Sequence, residues 1–290
     1  MATFDKKYEY ISKDPINSGG YGYIYRIRDR KVRTEYVLKK LRKVDSKNPN
    51  QKATDLESFK KEIDFLINVK GTNIVNIIDF YEKEDPSFYY IVLEKMDGDL
   101  DTMLNAYKKG MPSKIIRKIF LQLNSGLETM IKLGKSHRDL KPSNILFSYT
   151  NNKKSDFVIK LGDFGLATDL VNTVYASNAG TIFFKAPEVD KGKFNNKCDL
   201  YSIGIILYIL KTGEYIFEGN DLLDILTNKK NNKQKKETDD PLLNDLIKKL
   251  VVNDPHNRME WNQYFNHPFF KKNDDDIKEN EECKIVFYII

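Results

Sequence analysis

Two cysteines in 290 residues are too few for a stapled scaffold. Cys198 and Cys283 lie far apart and lack metal-ligand spacing, which excludes a disulfide framework and a zinc cluster and predicts a reducing compartment. Long apolar runs are equally scarce. The longest, Ile203 to Leu210, falls well short of the roughly 20 residues a membrane-spanning helix needs. The opening Met1-Ala2-Thr3-Phe4-Asp5-Lys6-Lys7 has no apolar signal core, so a soluble, cytoplasmic protein with no membrane span is expected. Charge is not segregated. The 48 Lys and Arg residues are interspersed with 42 Asp and Glu for a net +6, so the excess forms no basic stripe and no nucleic-acid partner is expected. No internal repeat is present.

What is there reads as a folded enzyme-sized chain. Hydrophobic residues make up 40% and aromatic residues 12%, enough for a sizeable core and too much for a disordered chain. From Tyr8 to about Leu93 the pattern is mostly strand-like. Tyr23, Tyr25 and Ile27 alternate with Ile24, Arg26 and Arg28, the period-2 mark of a strand leaving a glycine cluster. A helix is predicted over Asp55 to Val69 from Leu56, Phe59, Ile63, Leu66 and Ile67, with strands at Ile74 to Tyr81 and Tyr89 to Leu93. Beyond that the chain turns helical. Ile115, Ile119, Leu123, Leu127 and Ile131 recur every four residues, and Asp199 to Leu210 is apolar nearly all round, as a buried central helix should be. Asn228 to Lys236 reads as a solvated basic loop in preference to a localisation signal. The tail from Lys271 to Ile290 starts acidic and ends apolar, and is expected to pack on the domain.

The glycine cluster, Asn17-Ser18-Gly19-Gly20-Tyr21-Gly22, leads into a strand and is not followed by Gly-Lys-Ser/Thr. That rules out a dinucleotide fingerprint, whose glycines open a helix, and a Walker loop; a β-hairpin flap over phosphates fits. Further on comes His137-Arg138-Asp139-Leu140-Lys141-Pro142-Ser143-Asn144, and then Asp163-Phe164-Gly165. Phosphoryl transfer needs a carboxylate to hold the attacking hydroxyl and oxygen ligands to hold magnesium. Asp139 can supply the first, Asn144 and Asp163 the second. Either motif alone would be a turn or a surface loop as readily as a site; together and in order they point to one chemistry.

This set resembles the eukaryotic-type protein kinases, serine/threonine branch, from about residue 8 to the His267-Pro268-Phe269-Phe270 end. The resemblance implies an α+β, bilobal fold: a kinase domain over 8–270 with a small β-rich lobe over about 8–95, a helical lobe over about 96–270, and a tail over 271–290. It implies ATP and Mg2+, transfer of the γ-phosphoryl group to serine or threonine hydroxyls, and protein substrates. Catalytic roles would fall to Asp139, to Lys141 on the transferring group, and to Lys39 of Tyr36-Val37-Leu38-Lys39 on the α/β-phosphates, with Glu62 as its counter-charge. Lys40 and Glu57 are the competitors for the last two, and both lose on motif register. Nucleotide would be held by Asn17, Gly19, Gly22, Ile24, Val37, Leu93 as gatekeeper, the backbones of Glu94 and Met96, and Leu146; metal by Asn144 and Asp163. Leu66, Ile77, His137 and Phe164 should stack as a hydrophobic column, and Glu188 of Ala186-Pro187-Glu188 should pair with Arg258.

Three positions depart from the pattern: Asn17 replaces the first glycine, Val37 the usual alanine, and Ser136 an apolar residue before His137. They are what support there is for a rival reading, a kinase-like binding module without transfer. A small-molecule kinase is a third, disfavoured by the complete activation segment. Ser143 and Ile209 stand where kinases that prefer basic substrates often carry acids, so strong selection for arginine is not expected. Ser177 is the expected regulatory phosphosite, modified by an upstream kinase or by the chain itself, with Arg138 to receive the phosphate, Lys61 as helper in place of Thr168, and Thr173 and Tyr175 as competitors.

Overall fold

The computed structural model describes residues 3–19, 22–43, 49–69, 73–107, 109–150, 153–164, 182–189 and 195–271. Ser177, Thr173, Tyr175, Thr168, Thr181, Gly165, Cys283 and the tail beyond Lys271 lie outside them. The chain divides into two compact units, Met1–Met96 and Asp97–Ile290.

The first unit is an antiparallel sheet with one short and one long helix. In chain order it comprises α1 (Phe4–Lys7), β1 (Tyr8–Tyr10), β2 (Asn17–Gly19), β3 (Gly22–Asp29), β4 (Glu35–Arg42), α2 (Pro49–Asn68), β5 (Ile77–Tyr81) and β6 (Phe88–Glu94). Strands run in the order β1-β3-β4-β6-β5, with β2 also paired to β3. Because side chains alternate along a strand, the two faces of the sheet have different partners. One face carries Ile27, Leu38, Tyr90 and Val92, closed over by Phe4 and Tyr8. Phe4 meets the rings of Tyr81 and Tyr90 edge-on, at 5.6 and 5.0 Å. The helix α2 brings Phe59 flat against Tyr89, with ring centroids 4.3 Å apart.

That helix begins at Pro49, ahead of the predicted Asp55. Its first residues, Pro49-Asn50-Gln51-Lys52-Ala53-Thr54, carry no apolar stripe, so periodicity detects nothing before Leu56. Proline suits the first helical position, where its fixed φ fits and its missing N–H is not needed. The strand expected from Ile74 starts at Ile77, Ile74 making only an isolated bridge.

The second unit is mainly helical: β7 (Gly98–Asp99), α3 (Leu100–Asn105), α4 (Ser113–Lys132), a 3-10 turn over Pro142–Asn144, β8 (Ile145–Thr150), β9 (Lys153–Leu161), α5 (Lys197–Thr212), α6 (Leu222–Lys230), α7 (Pro241–Leu250), α8 (Trp261–Phe265) and α9 (Pro268–Lys271). The predicted central helix is α5, buried at every position from Lys197 to Leu210 except Ile209. On α4 the buried stripe is Ile116, Ile119, Phe120, Leu123, Leu127 and Met130, rotated slightly from the predicted one, so Ile115 and Ile131 are only half-buried. At about 1.5–3 kcal/mol for each fully buried large apolar side chain, α4 and α5 account for much of the driving force in this unit.

One reading is corrected. The segment 228–236 is not a solvated loop throughout: α6 continues to Lys230, and Lys229 is 6% exposed. A lysine run looks solvated in a sequence because charge is costly to bury unless it is partnered, and the partners of Lys229 are backbone carbonyls that no composition reveals. The described residues contain no helix long and apolar enough to cross a membrane.

Candidate active site

On β4, alternation sends adjacent lysines to opposite faces of the sheet. Lys39 Nζ donates to Glu62 Oε1 of α2 at 3.1 Å, with both side chains largely buried. Lys40 Nζ instead sits over the rings of Phe88 and Tyr90, at 4.7 and 4.8 Å, beside the Asp85 carboxylate. Glu57 is occupied elsewhere, paired to Lys61 one turn along the exposed face of α2. Removing one member of a buried ion pair strands the other, which typically costs about 3–5 kcal/mol, so Lys39 and Glu62 fix each other.

Asn17–Gly19 and the strand from Gly22 form a β-ribbon, with Asn17 opposite Ile24 and Gly19 opposite Gly22. Gly22 has φ +150°, and a Cβ there would lie 1.8 Å from the carbonyl oxygen of Lys40. The backbone of the ribbon approaches β4 too closely for any side chain. Across the sheet Ile24 pairs with Lys39, and Val37 with Leu93. Val37 therefore shares the face of Lys39 two residues on. Glu94 is held to Asn76 twice, N–H to carbonyl at 3.1 Å and carboxylate to N–H at 2.7 Å; Met96, half-buried, ends the unit.

In the second unit residues of the His137–Asn144 segment converge on one carboxylate. Asp139 Oδ2 accepts from Lys141 Nζ at 2.8 Å and from Asn144 Nδ2 at 3.1 Å, and the same Asn144 nitrogen donates to the Asp139 carbonyl at 2.8 Å. The other oxygen, Asp139 Oδ1, is buried without a hydrogen-bond partner among the described residues. A polar atom buried without a partner is costly, so such an exception calls for an explanation. Pro142 sets the first residue of the 3-10 turn that delivers Asn144, whose carbonyl accepts from Gly162 N–H at 2.9 Å. His137 Nε2 meets the Gly162 carbonyl at 2.9 Å, and its ring lies 5.3 Å from that of Phe164. Leu66 and Ile77, the other two members of the expected column, belong to the first unit, Leu66 buried and Ile77 half-buried. Arg138 and Asp163 both hold positive φ, 67° and 55°, a conformation that costs about 1–3 kcal/mol outside glycine and persists only where surroundings impose it. Leu146 is half-buried on β8, opposite Asp99 of β7.

At Arg138 the backbone is held by a residue that motif reading overlooks. Asp199, in the first turn of α5 and 2% exposed, accepts from His137 N–H at 2.7 Å, Arg138 N–H at 2.8 Å and the Ser136 hydroxyl at 2.8 Å. A carboxylate in an otherwise apolar helix needs such partners, and this was the available signal in the sequence. Ser136, out of pattern as an apolar position, is thereby a buried hydroxyl with its donor satisfied. Cys198, beside it, has its thiol pushed well up by burial and by the Asp199 charge, so it stays protonated and inert. The expected Glu188–Arg258 pair is present and bidentate, at 2.6 and 3.0 Å, with Arg258 also donating to the carbonyls of Lys197 and Val252.

The donor set fits a nucleotide and a hard cation. Asn144 has its amide nitrogen turned onto Asp139, which leaves the amide oxygen as the end able to meet a cation, and Asp163 would add a carboxylate at an exposed position immediately after Gly162 of the buried His137–Asn144–Gly162 cluster.

Comparison with known proteins gives the family of the chain. The family model for the protein kinase domain matches residues 10–270. Calcium-dependent protein kinase 4 of Plasmodium falciparum is 33% identical over 86% of this chain and 47% of its own length. The serine/threonine-protein kinase atg1 of Dictyostelium discoideum is 30% identical over 92% of this chain and 40% of its own. The probable serine/threonine-protein kinase fhkB of the same organism is 30% identical over 97% of this chain and 25% of its own. The chain thus spans about half or less of the length of the curated relatives it matches. With the family model covering all but the ends of the chain, it belongs to the protein kinase domain family.

Proposed function

We propose that this chain is a serine/threonine protein kinase that transfers the γ-phosphoryl group of ATP to hydroxyls of protein substrates, with Mg2+ as its cofactor. The observation that carries the reading is the Asp139 carboxylate: one oxygen held by Lys141 and Asn144, the other buried and unpartnered. That is the arrangement needed to orient an incoming hydroxyl and accept its proton. Lys141 then lies beside the attacking oxygen, placed to neutralise charge on the phosphoryl group in transit. Lys39, steadied by Glu62, serves the α/β-phosphates; Asn17, Gly19 and Gly22 cover them with backbone; Ile24, Val37, Leu93, Leu146 and the Glu94 and Met96 backbones hold the base. Asn144 and Asp163 are the metal ligands, and magnesium would supply charge neutralisation on the phosphates.

The kinase-like binding module without transfer is disfavoured because Lys39, Glu62, Asp139, Asn144 and Asp163 are all present. Phosphorylation at Ser177, by the chain itself or by an upstream kinase, belongs to the same proposal, as does a cytoplasmic location supported by the scarcity of cysteine. Mass spectrometry of active enzyme followed by Ser177→Ala kinetics tests the first; full activity in that variant rejects it. The central test is incubation with labelled ATP, magnesium and an arrayed peptide library beside an Asp163→Asn control. Label on serine or threonine peptides, lost in the control, is expected; equal label in both rejects the metal assignment, and none in either rejects the kinase.

A further inference from the structure

The short segment Ile182-Phe183-Phe184-Lys185 is held in an unusual way. Each of its four consecutive carbonyls accepts a hydrogen bond from a side chain of a later element. Lys229 Nζ, at the end of α6, donates to the carbonyls of Ile182 at 2.5 Å, Lys185 at 2.6 Å and Phe183 at 3.4 Å. Tyr215 OH donates to Phe183 O at 2.5 Å, and Ser202 Oγ to Phe184 O at 2.9 Å. Lys229 is 6% exposed, and its ammonium lies 5.6 Å from the Tyr201 ring centre. An ammonium has three donors, and these three carbonyls converge on it. A buried cation is costly unless its donors are satisfied, and charge-assisted bonds are about twice as strong as neutral ones, so the convergence locks the backbone of 182–185 into one shape.

The position of that segment is fixed relative to the catalytic loop by α5. Asp199 holds the backbone of His137 and Arg138, and Ser202, three residues on and so on the same side of the helix, holds Phe184. The two anchors are about one helical turn apart, roughly 5 Å along the axis. The segment 182–185 is therefore held by the same side of α5 that holds the backbone leading into Asp139. Three residues further, Glu188 is clamped by Arg258, so the segment is fixed from both sides.

We infer that Lys229 is a positioning residue for the protein substrate: by gathering the carbonyls of Ile182, Phe183 and Lys185 it shapes the surface on which the acceptor peptide lies. This rests on the kinase reading and adds to it a residue whose effect falls on the acceptor and not on the nucleotide. A run of lysines that looks like a solvated patch thus contains one that works from underneath the segment.

The test is steady-state kinetics of the full chain, using the best acceptor from the peptide array. In Lys229→Met the KM for peptide should rise about tenfold or more, while kcat at saturating peptide and the KM for ATP move less than about twofold. Lys229→Arg, which keeps charged donors, should recover most of the loss. Tyr215→Phe, which removes one bond to the same segment, should shift the peptide KM in the same direction by less, and reads out the inference if Lys229→Met does not fold. An unchanged peptide KM in a folded Lys229→Met or in Tyr215→Phe overturns it. So does a parallel fall in kcat and rise in both KM values, which would mark a general structural role. A wild-type chain that labels no peptide removes the kinase reading and this inference together; an active wild type with insensitive variants removes the inference alone.

Discussion

At the scale of single residues, neighbours in sequence are separated by what their side chains can reach. Lys39 and Lys40 are chemically identical, and strand alternation alone gives one a carboxylate on α2 and the other a box of Tyr25, Phe88 and Tyr90 rings. Lys39→Met and Asp139→Asn are each expected to lower kcat by about a hundredfold to a thousandfold or more, since on the proposed reading each removes charge used on the reacting groups. Lys40→Met should leave transfer within a few-fold. Turnover measured on folded protein, checked by circular dichroism, decides it; near-normal rates in either of the first two would remove that residue from the site. A different residue should govern acid sensitivity. His267 is buried, its Nδ1 accepts from Phe269 N–H at 3.2 Å, and its Nε2 lies 2.9 Å from Asp245 Oδ2. This is the neutral tautomer with both nitrogens in use, and burial outweighs the attraction of Asp245, so the imidazole titrates below its ordinary value. A folded-state pKa below that of the free chain gives stability that is complete above about pH 6.5 and is lost as pH falls below it, at no more than about 1.4 kcal/mol per pH unit. His267→Gln keeps a donor and an acceptor but cannot take a proton there. Its melting temperature should fall less than that of wild type between about pH 6.5 and 5.5; identical slopes would refute the assignment.

At the scale of elements, helix packing follows the apolar pattern where the pattern exists. The stripe on α4 and the all-round apolar surface of α5 were readable because burial selects for them directly, and the start of α2 was not, because its polar first turns carry no period. Close approach between elements is less visible. On α5, a Cβ added to Gly204 would lie 2.6 Å from Val251 Cγ2 and 2.9 Å from Leu250 Cβ, at the end of α7. A glycine inside a helix is a poor helix former, so its presence there reports the neighbour and not the helix. Gly204→Ala should raise helix propensity yet still destabilise the protein by about 1–3 kcal/mol through overpacking. Urea unfolding measures it, and a neutral or stabilising result would mean that α7 can shift at no cost. The same limit applies to the site: Asp139, Lys141 and Asn144 meet through hydrogen bonds because they share one loop. Asp199 and Lys229 act across sixty and more than forty residues of chain on backbone atoms, and backbone acceptors leave no mark on residue identity.

At the scale of the whole molecule, the residues of the proposed site divide between the two units: Lys39, Glu62 and the glycine ribbon in Met1–Met96, and Asp139, Lys141, Asn144 and Asp163 in Asp97–Ile290. The mild net charge of +6 is spread among mixed signs, so it does not by itself concentrate a polyanion such as ATP. On the proposed reading, recognition comes from these few groups. Ligand that binds only the folded state stabilises it by mass action, about 2.7 kcal/mol at a hundred times the dissociation constant. The melting temperature of the intact chain should therefore rise with ATP and rise further when magnesium is added. Lys39→Met should lose part of the ATP response, because the phosphates lose their ammonium. Asp163→Asn should retain a response to ATP alone and lose the magnesium increment, because a neutral amide replaces the carboxylate ligand. The Asp163 backbone, held at φ 55°, tolerates asparagine well, so the variant tests the charge and not the fold. A magnesium increment that survives in Asp163→Asn would place the cation elsewhere, and a chain indifferent to millimolar ATP with and without magnesium would leave a kinase fold that no longer binds its nucleotide.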